Sequence, residues 1–381
     1  MDERCIFTLM QAEHVDWEKF LKRERGKHNA REDPHNALSP SIKGLTGKIC
    51  TSIAYIFKDA KTAADIFAAI LRDYAYARIS MGQPPVEALR HALLDLELGA
   101  ENKEQENHSV VLTSSGMAAS LLLCLQHASN GGEFISSPKL YGGTYQLFTK
   151  MIPQLGMTCH MIDDPQNLSD WRKAIEKHPN ARFLFAEDYA NPTPRKLDNA
   201  AIAALAHAAG MFYVCDNTIG TPILEKPLLT GTDIVLHSLS KNIGGRSAGL
   251  GGALIGKKEY IEPMNDKDTG WFSPSGMVLD ARVADYMLHG TQDLKARMER
   301  KVATVAKVAQ FLEAHPRVKK VYGPGGDLLS FDLNGTLKNA QKLVESLKLI
   351  KFTPHLGDIE SLMIHPASTT HSPVPEDKRR K

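Results

Sequence analysis

Lys241 stands in a part of the sequence where a side-chain amine could act as a nucleophile. It comes soon after the apolar run Ile234–Leu236, and the hydroxyl side chains of Ser238 and Ser240 precede it. A lysine held near the edge of a buried sheet can have a lowered pKa and attack an aldehyde. Several glycines follow it and would let the backbone approach a bulky ligand, namely Gly244, Gly245, Gly249, Gly251 and Gly252. The pattern therefore favours a Schiff-base lysine over a surface charge.

An acidic residue, Asp216, stands at the end of another apolar run, about twenty-five residues before Lys241. A carboxylate in this place can simply cap a turn, because Asp, Asn and Thr are common in turns. It can also pair with a protonated ring nitrogen, which pyridoxal phosphate needs alongside a Schiff-base lysine. On neighbouring strands of a parallel sheet, the two residues would suit a ligand of this kind lying between them.

Two further segments could complete such a site. Ser115, Gly116 and Met117 follow a predicted strand and open a helix, whose exposed amides and partial positive charge suit a phosphate. The alternative is a plain helix cap at the serine. Tyr141 could stack on a pyridine ring and exchange protons through its hydroxyl, or it could serve packing alone.

Short apolar runs alternate with alanine-rich helical segments from about residue 110, which is typical of a mostly parallel sheet covered by helices. Function in such sheets collects at the carboxyl ends of the strands, where polar residues follow nearly every run in this sequence. The predicted strands are 109–112, 133–136, 183–186, 212–215 and 233–237, with helices at 116–126 and 200–209.

The pattern changes after about residue 258. A long amphipathic helix is predicted over 278–314, with a break near Gly290, and strands and a helix are predicted within 321–333 and 343–364. We therefore predict an N-terminal arm (1–70), a cofactor-binding α/β domain (71–258) and a C-terminal α+β domain (259–381).

The composition excludes several classes of protein. The 381 residues are 43% hydrophobic and 24% charged with a net charge of +2, so nothing indicates binding to nucleic acid or an anionic membrane. No apolar run is long enough for a membrane span, and the charged first residues lack the pattern of a signal peptide. The 5 scattered cysteines and the histidines show no zinc-binding spacing, which predicts a cytoplasmic protein without a metal site.

Several segments of the sequence together resemble a known family. They are similar to the Cys/Met-metabolism enzymes, which use pyridoxal phosphate and include cystathionine γ-synthase, cystathionine lyases, methionine γ-lyase and O-acetylhomoserine sulfhydrylase. The resemblance covers about residues 70–375 and implies the type I fold of pyridoxal-phosphate transferases. The segments are SSGMAA, LYGGTY, EDYANPT, VCDNTIGTPI, PLLTGTDIVLHSLSKNIGG, LLSFDL and LGDIESLMIHPASTTHS.

The resemblance also implies roles for individual residues. Lys241 would form the Schiff base and shuttle protons, Asp216 would hold the pyridinium, and Tyr141 would stack on the ring as an acid/base group. Asn191 would lie beside the ring oxygen, with Glu187 in the same segment. The implied phosphate ligands are Ser115, Gly116, Met117, Ser238 and Ser240.

The segment Tyr74–Arg78 matches the family's Y-x-Y-x-R motif. In the family, the residues at the positions of Tyr76 and Arg78 reach the cofactor phosphate of a neighbouring subunit, so a dimer that shares its active sites is implied. The family usually forms tetramers.

The sequence also departs from the family. Gln83-Pro84-Pro85 stands near the place of an N-P-T motif, and Arg246 stands where a histidine follows the two glycines. The loop between Tyr322 and Gly325 is shorter than usual. A counterpart of the family's C-terminal segment, whose arginine binds the substrate α-carboxylate, is not seen in the sequence, so the group that binds the carboxylate stays open.

The implied function is γ-replacement or γ-elimination on a homoserine ester or a sulfur amino acid, within transsulfuration and methionine biosynthesis. The implied enzyme is similar to O-acetylhomoserine sulfhydrylase and cystathionine γ-synthase. The segments HSLSK and HPASTTH resemble the O-acetylhomoserine sulfhydrylases more than the cystathionine enzymes. The alternatives are a carbon–sulfur lyase acting on methionine or cystathionine, and a catalytically altered protein that retains the cofactor fold. A serine acyl-transferase with an S-x-x-K motif is disfavoured, because S-D-N and K-T-G are missing.

Overall fold

The structure is a computed structural model that describes residues 50–79 and 82–372 of the chain. Residues 1–49 of the predicted N-terminal arm lie outside the described residues, as does the end of the chain beyond residue 372. Within the described part, no helix is both long and apolar enough to cross a membrane.

Seven strands form one sheet within the described residues. Their order across the sheet is β1-β7-β6-β5-β4-β2-β3, and only β7 runs against its neighbours, antiparallel to β1 and β6. The predicted mostly parallel sheet is therefore confirmed. The strands are β1 (His108–Thr113), β2 (Glu133–Ser136), β3 (Thr158–Met161), β4 (Phe183–Glu187), β5 (Phe212–Asp216), β6 (Ile234–Ser238) and β7 (Gly252–Lys257).

Helices cover both faces of this sheet. They are α1 (Ala60–Phe67), α2 (Pro84–Leu98), α3 (Gly116–Ala128), α4 (Gly142–Gln146), α5 (Leu168–Lys177), α6 (Asn199–Ala208), α7 (Thr221–Leu224), α8 (Lys258–Ile261), α9 (Phe272–Ser275), α10 (Ala281–Gln292) and α11 (Leu294–Glu313). The predicted long helix is thus two helices, and the break lies at Asp293, close to the expected position.

Alternate strand residues pack on opposite faces, which explains the continuous apolar runs in the sequence. In β4, Phe183 and Phe185 belong to the core that contains Leu122 of α3. Leu184 lies in a second core with Trp171 of α5. A third core joins α2 and α10 to β1 and β7. Because both faces of the sheet are buried, its carboxyl edge is where polar side chains can meet.

The remaining elements follow α11. Strands β8 (Val318–Gly325) and β9 (Leu328–Leu333) form an antiparallel pair, helix α12 (Leu337–Ser346) comes next, and the short strands β10 (Lys351–Phe352) and β11 (Leu362–Met363) pair in parallel. The loop between β10 and β11 returns to the edge of the large sheet. The domain boundaries at residues 70 and 258 stay predictions.

Candidate active site

Five strands of the described sheet end at its carboxyl edge with polar residues. They end at Thr113, Ser136, Glu187, Asp216 and Ser238. In the ladders, Glu187 lies opposite Asp216, which in turn lies opposite Leu236. The carboxylates therefore occupy neighbouring strand ends, and the turn that carries Lys241 begins on the next strand.

The hydroxyl group of Thr218 links Asp216 to Ser238, a contact that the sequence analysis missed. Its Oγ1 donates to Oδ1 of Asp216 at 2.5 Å and accepts from the Ser238 backbone N–H at 2.8 Å. The Thr218 backbone N–H also donates to Oδ1, at 3.0 Å. Both of these bonds to Asp216 end on Oδ1. Oδ2 receives no hydrogen bond from the described residues, so it is available to a ligand.

The pKa values of two carboxyl groups at this edge, those of Asp216 and Glu187, are raised. Burial raises the pKa of Asp216, whereas the hydrogen bonds from Thr218 and the charge of His237 lower it. Burial, followed by the charge of Asp216, raises the pKa of Glu187 well above its usual value. A cationic ring beside Asp216 would stabilise its ionised form, because an opposite charge at close range favours a carboxylate.

Glu187 fixes the backbone of two predicted site residues. Its Oε1 accepts a hydrogen bond from the Tyr141 backbone N–H at 2.6 Å, and the Asn191 backbone also bonds to its carboxylate. The Tyr141 side chain is 41% exposed, so one side of its ring is open. The Asn191 carbonyl accepts from Nε2 of His371 at 2.8 Å. Glu187 therefore affects the site by fixing the backbone segments that carry Tyr141 and Asn191.

Lys241 lies in the turn that follows β6. Its backbone N–H donates to the Ser238 carbonyl at 3.1 Å. Burial lowers the pKa of its amine, and a lowered pKa increases the unprotonated, nucleophilic fraction at neutral pH. The amine Nζ lies 3.2 Å from Nδ1 of His355. A Cβ atom at Gly357 would lie 3.0 Å from Cα of Lys241, so this loop packs against the lysine backbone.

His355 is a candidate site residue that the sequence analysis did not single out. Burial, followed by the positive charge of Lys241, lowers its pKa, with Lys301 acting in the same direction and Asp358 against it. Its Nε2 is buried and has no hydrogen-bond partner among the described residues. His355 therefore places a buried ring nitrogen without a described partner close to the amine of Lys241.

The start of α3 offers free backbone amides next to Ser238. The Ser115 side chain caps the helix by accepting from the Ala118 N–H at 3.1 Å. The N–H groups of Gly116 and Met117 have no acceptor within the described residues, as is usual for a first helical turn. A Cβ atom at Gly116 would lie 2.9 Å from Cβ of Ser238, so only glycine lets these segments approach. The amides and the Ser238 hydroxyl form a cradle suited to a phosphate.

The two serines before Lys241 differ in their contacts. Oγ of Ser240 accepts from the Gly251 N–H at 2.9 Å and donates to the Gly251 carbonyl at 3.3 Å. Oγ of Ser238 has no hydrogen bond to a described residue. The hydroxyl of Ser238 is therefore the freer of the two, while that of Ser240 joins the lysine turn to the start of β7.

Tyr76 and Arg78 lie apart from these groups in the single chain. The guanidinium carbon of Arg78 lies 5.3 Å from the centre of the Tyr76 ring, and its Nη1 donates to the Ser273 carbonyl at 3.1 Å. Both side chains are exposed. Neither contacts Lys241 or Asp216 within the described chain, so their implied role depends on a second subunit.

A buried contact between a histidine and a glutamate supports the site from behind. Nε2 of His237 lies 2.5 Å from Oε1 of Glu97, and both side chains are fully buried. His237 precedes Ser238 on β6, and Glu97 lies near the end of α2. This pair joins α2 to β6, which ends at Ser238 and leads into the turn that carries Lys241.

The residues present fit pyridoxal phosphate. A partly buried amine with a lowered pKa could hold its aldehyde, and the available Oδ2 of Asp216 could hold its ring nitrogen. The cradle of Gly116, Met117 and Ser238 could hold its phosphate. These three functions require different residue types, and the fold places all three along one edge of the sheet.

Comparison with protein families gives a match over most of the chain. The model of the family described as Cys/Met metabolism PLP-dependent enzyme matches residues 36–381. Among curated relatives, an O-acetyl-L-homoserine sulfhydrylase of Leptospira meyeri is 32% identical over 87% of this chain and 85% of its own. An L-methionine gamma-lyase of Fusobacterium nucleatum subsp. polymorphum is 31% identical over 89% of this chain and 88% of its own.

Solved structures agree with this match. An O-acetylhomoserine (thiol)-lyase of Campylobacter jejuni subsp. jejuni, whose crystal structure contains N'-pyridoxyl-lysine-5'-monophosphate, superposes with a TM-score of 0.80. It is 28% identical and covers 88% of each chain. A cystathionine gamma synthase of Xanthomonas oryzae pv. oryzae, in complex with aminoacrylate and cysteine, has a TM-score of 0.78 and 26% identity, covering 90% of this chain and 87% of its own.

Proposed function

Because the chain belongs to the Cys/Met metabolism PLP-dependent enzyme family, we propose that this pyridoxal-phosphate enzyme acts at Cγ of a homoserine ester or a related sulfur amino acid. The observation that carries the proposal is the position of the Lys241 amine, partly buried and with a lowered pKa, at the same sheet edge as Asp216. The favoured reaction is sulfhydrylation or a related γ-replacement. The second candidate is a carbon–sulfur lyase reaction.

When bound, pyridoxal phosphate supplies an electron sink for the substrate's α-carbon. Asp216 would hold the ring nitrogen through Oδ2 while Thr218 fixes Oδ1. The amides of Gly116 and Met117, together with the Ser238 hydroxyl, would bind the phosphate. These contacts would orient the reacting group.

Nζ of Lys241 is the base of the proposed reaction. It accepts the proton from the substrate's α-carbon and returns a proton at a later step, and its lowered pKa increases its unprotonated fraction. The hydroxyl of Tyr141, on the open side of the site, assists proton transfer near the leaving group. Nδ1 of His355, 3.2 Å from the amine, orients it.

The two candidate reactions differ in what happens at Cγ. In γ-replacement, the Cγ–O bond of the ester breaks, the carboxylate leaves, and sulfide forms the new Cγ–S bond. In γ-elimination, the Cγ–S bond breaks, a thiol leaves, and water releases ammonia and a 2-oxo acid. Relatives of both kinds cover the chain at similar identity, and the two segments quoted above favour replacement.

The experiment is a substrate panel with the purified protein saturated with pyridoxal phosphate. We expect O-acetylhomoserine with sulfide to give homocysteine and acetate. We expect methionine, cystathionine and cysteine to give 2-oxo acid in a smaller amount than this homocysteine. A Lys241→Ala variant serves as the control for uncatalysed reaction. A 2-oxo acid as the main product would establish the lyase. Turnover of none of these substrates, despite bound cofactor, would contradict the proposal and support the altered protein.

We also propose that Tyr76 and Arg78 complete the phosphate site of a neighbouring subunit. An arginine–phosphate contact is a strong charge-assisted hydrogen bond, and both side chains are exposed in the single chain. Mixing inactive Lys241→Ala and Arg78→Ala subunits, after dissociation and reassembly, should restore part of the activity, because hybrid dimers contain one intact site. Failure to recover any activity in confirmed hybrids would contradict a shared site.

A further inference from the structure

A cluster of three ionisable side chains lies outside the proposed active site. It consists of Glu133, His160 and His178, which we call the edge cluster. Glu133 begins β2, His160 lies in β3 at the border of the sheet, and His178 follows the last residue of α5. The cluster is at the opposite end of β2 from the carboxyl edge that carries the active-site residues.

Strand pairing explains why these side chains meet. His160 lies opposite Ile135 in the parallel ladder, and Glu133 is two residues before Ile135. Residues two apart on a strand point to the same face, so Glu133 and His160 share a face. Ile135 packs in the core that contains Trp171 of α5, and this helix brings His178 to the same face at its end.

The ligand atoms of the edge cluster converge. One nitrogen from each histidine and one oxygen from Glu133 lie within 4.8 Å of one another. Nε2 of His160 is 2.6 Å from Oε2 of Glu133. The rings of His160 and His178 are stacked, with centroids 3.4 Å apart and planes inclined by 12°. Within the described residues, this is the only group of three such side chains with this spacing.

A hydrogen bond between His160 and Glu133 satisfies only part of this cluster. Neither ring nitrogen of His178 has a hydrogen-bond partner among the described residues, although the ring is held against His160. His178 can therefore offer a ring nitrogen to a further ligand.

We propose that the edge cluster binds a divalent transition-metal ion, with Zn²⁺ as the ion that suits it best. Two histidine nitrogens and one carboxylate oxygen are common zinc ligands, and water can fill the fourth position. The Glu133 and His160 side chains are 24% and 22% exposed, so an ion can enter from solvent. The bound ion would link the border of the sheet to the end of α5 and would not take part in the reaction.

The sequence prediction of no metal site depended on local spacing. Glu133 and His160 are 27 residues apart, and His178 comes from a third element, so no short motif contains all of them. The fold creates the cluster, and this is why the sequence pattern could not reveal it. The proposal is independent of the reaction proposed above.

The test is zinc binding by the chelator-treated, cofactor-loaded protein, measured by calorimetry and by the melting temperature. We expect one saturable zinc ion per chain, and we expect zinc to raise the melting temperature, since a ligand that binds only the folded state stabilises it. In His160→Gln and in His178→Gln, the Kd for zinc should rise by at least about tenfold. Loss of a group that only hydrogen-bonds to a metal ligand weakens metal binding by about tenfold or more, so loss of a ligand should weaken it at least as much. The zinc-dependent rise in melting temperature should disappear.

A matched control is His207→Gln. His207 also pairs with a carboxylate, that of Asp233 at 2.7 Å, but no second histidine belongs to that pair. Zinc binding should be unchanged in this variant. Equal zinc binding by the parent and both edge-cluster variants, or the absence of saturable binding by the parent, would overturn the proposal.

Discussion

The amine of Lys241 and Nδ1 of His355 lie 3.2 Å apart, although 114 residues separate them in the chain. Lys241 lies in the turn that follows β6, and His355 lies in the loop between β10 and β11. Asp358 of the same loop bonds to Ser247, which follows the lysine turn. The C-terminal part of the chain therefore contributes directly to the environment of the proposed nucleophile.

Replacing His355 should impair turnover without removing the cofactor. His355→Leu removes the partner of the amine, and a net hydrogen-bond contribution of about 0.5–1.5 kcal/mol corresponds to a loss of roughly 2-fold to 10-fold in kcat. Steady-state kinetics and the visible spectrum should be measured together. His365→Leu is the control, since His365 bonds only locally, to Ser368. Unchanged kcat in His355→Leu would contradict a role in positioning the amine.

The reaction of the cofactor-free protein with pyridoxal phosphate should depend on pH through Lys241. Burial lowers the pKa of this amine from the ordinary 10.5, so the reactive unprotonated form appears at lower pH than in a free lysine. The rate of cofactor capture should therefore rise with pH and level off below 10.5. Nα-acetyl-lysine is the reference amine. A profile that coincides with the reference would show that the pKa is not lowered.

Removing the charge of Asp216 should weaken both cofactor binding and turnover. Asp216→Asn retains the size of the side chain and an acceptor for Thr218, but it cannot stabilise a positive ring. Hydrogen bonds to charged groups are worth about 1.5–3 kcal/mol, so we expect a loss of roughly 10-fold to 100-fold in cofactor affinity. Equilibrium titration with pyridoxal phosphate measures it.

The control for this change is Asp198→Asn. Asp198 caps α6 by accepting from the Ala201 N–H at 3.0 Å, away from the site. This variant should bind the cofactor as the parent does. If Asp216→Asn also bound the cofactor with unchanged affinity, the assignment of the ring-nitrogen partner would be wrong.

The two serines of the lysine turn should respond differently to truncation. Ser238→Ala removes a hydroxyl that bonds to no described residue, so it should lower cofactor affinity and leave the melting temperature of the cofactor-free protein nearly unchanged. Ser240→Ala removes two bonds to Gly251 and should lower that melting temperature. Cofactor titration and thermal melting of both variants test this. The reverse pattern would assign the phosphate contact to Ser240.

Much of the sheet could be predicted from the sequence, because its central strands are buried on both faces and therefore appear as apolar runs. The predicted strand 212–215 lacks only the last residue of β5, and the predicted strand 133–136 has the same bounds as β2. Two strands were missed. β3 lies at the border, is only partly buried, and contains His160 in place of a continuous apolar run. β7 begins in a glycine-rich stretch that suggested a turn.

The site could be predicted only where its residues occur in local motifs. Asp216 ends a strand, and Lys241 and Gly116 each come soon after one, an order that is visible in the sequence. His355 is different, because it comes from a loop whose return to the sheet edge depends on the packing of the C-terminal elements. Thr218 was visible as a turn residue, but its bonds to both Asp216 and Ser238 require the register of β5 and β6.

The most direct test of the account is to locate the covalent bond between the protein and its cofactor. Pyridoxal phosphate should give the purified protein a visible absorption band, and borohydride reduction should fix the cofactor on the peptide that contains Lys241, as seen by mass spectrometry after digestion. Lys241→Ala should show neither the reduced adduct nor turnover. Reduction at a different lysine, or full activity of Lys241→Ala, would contradict the central claim.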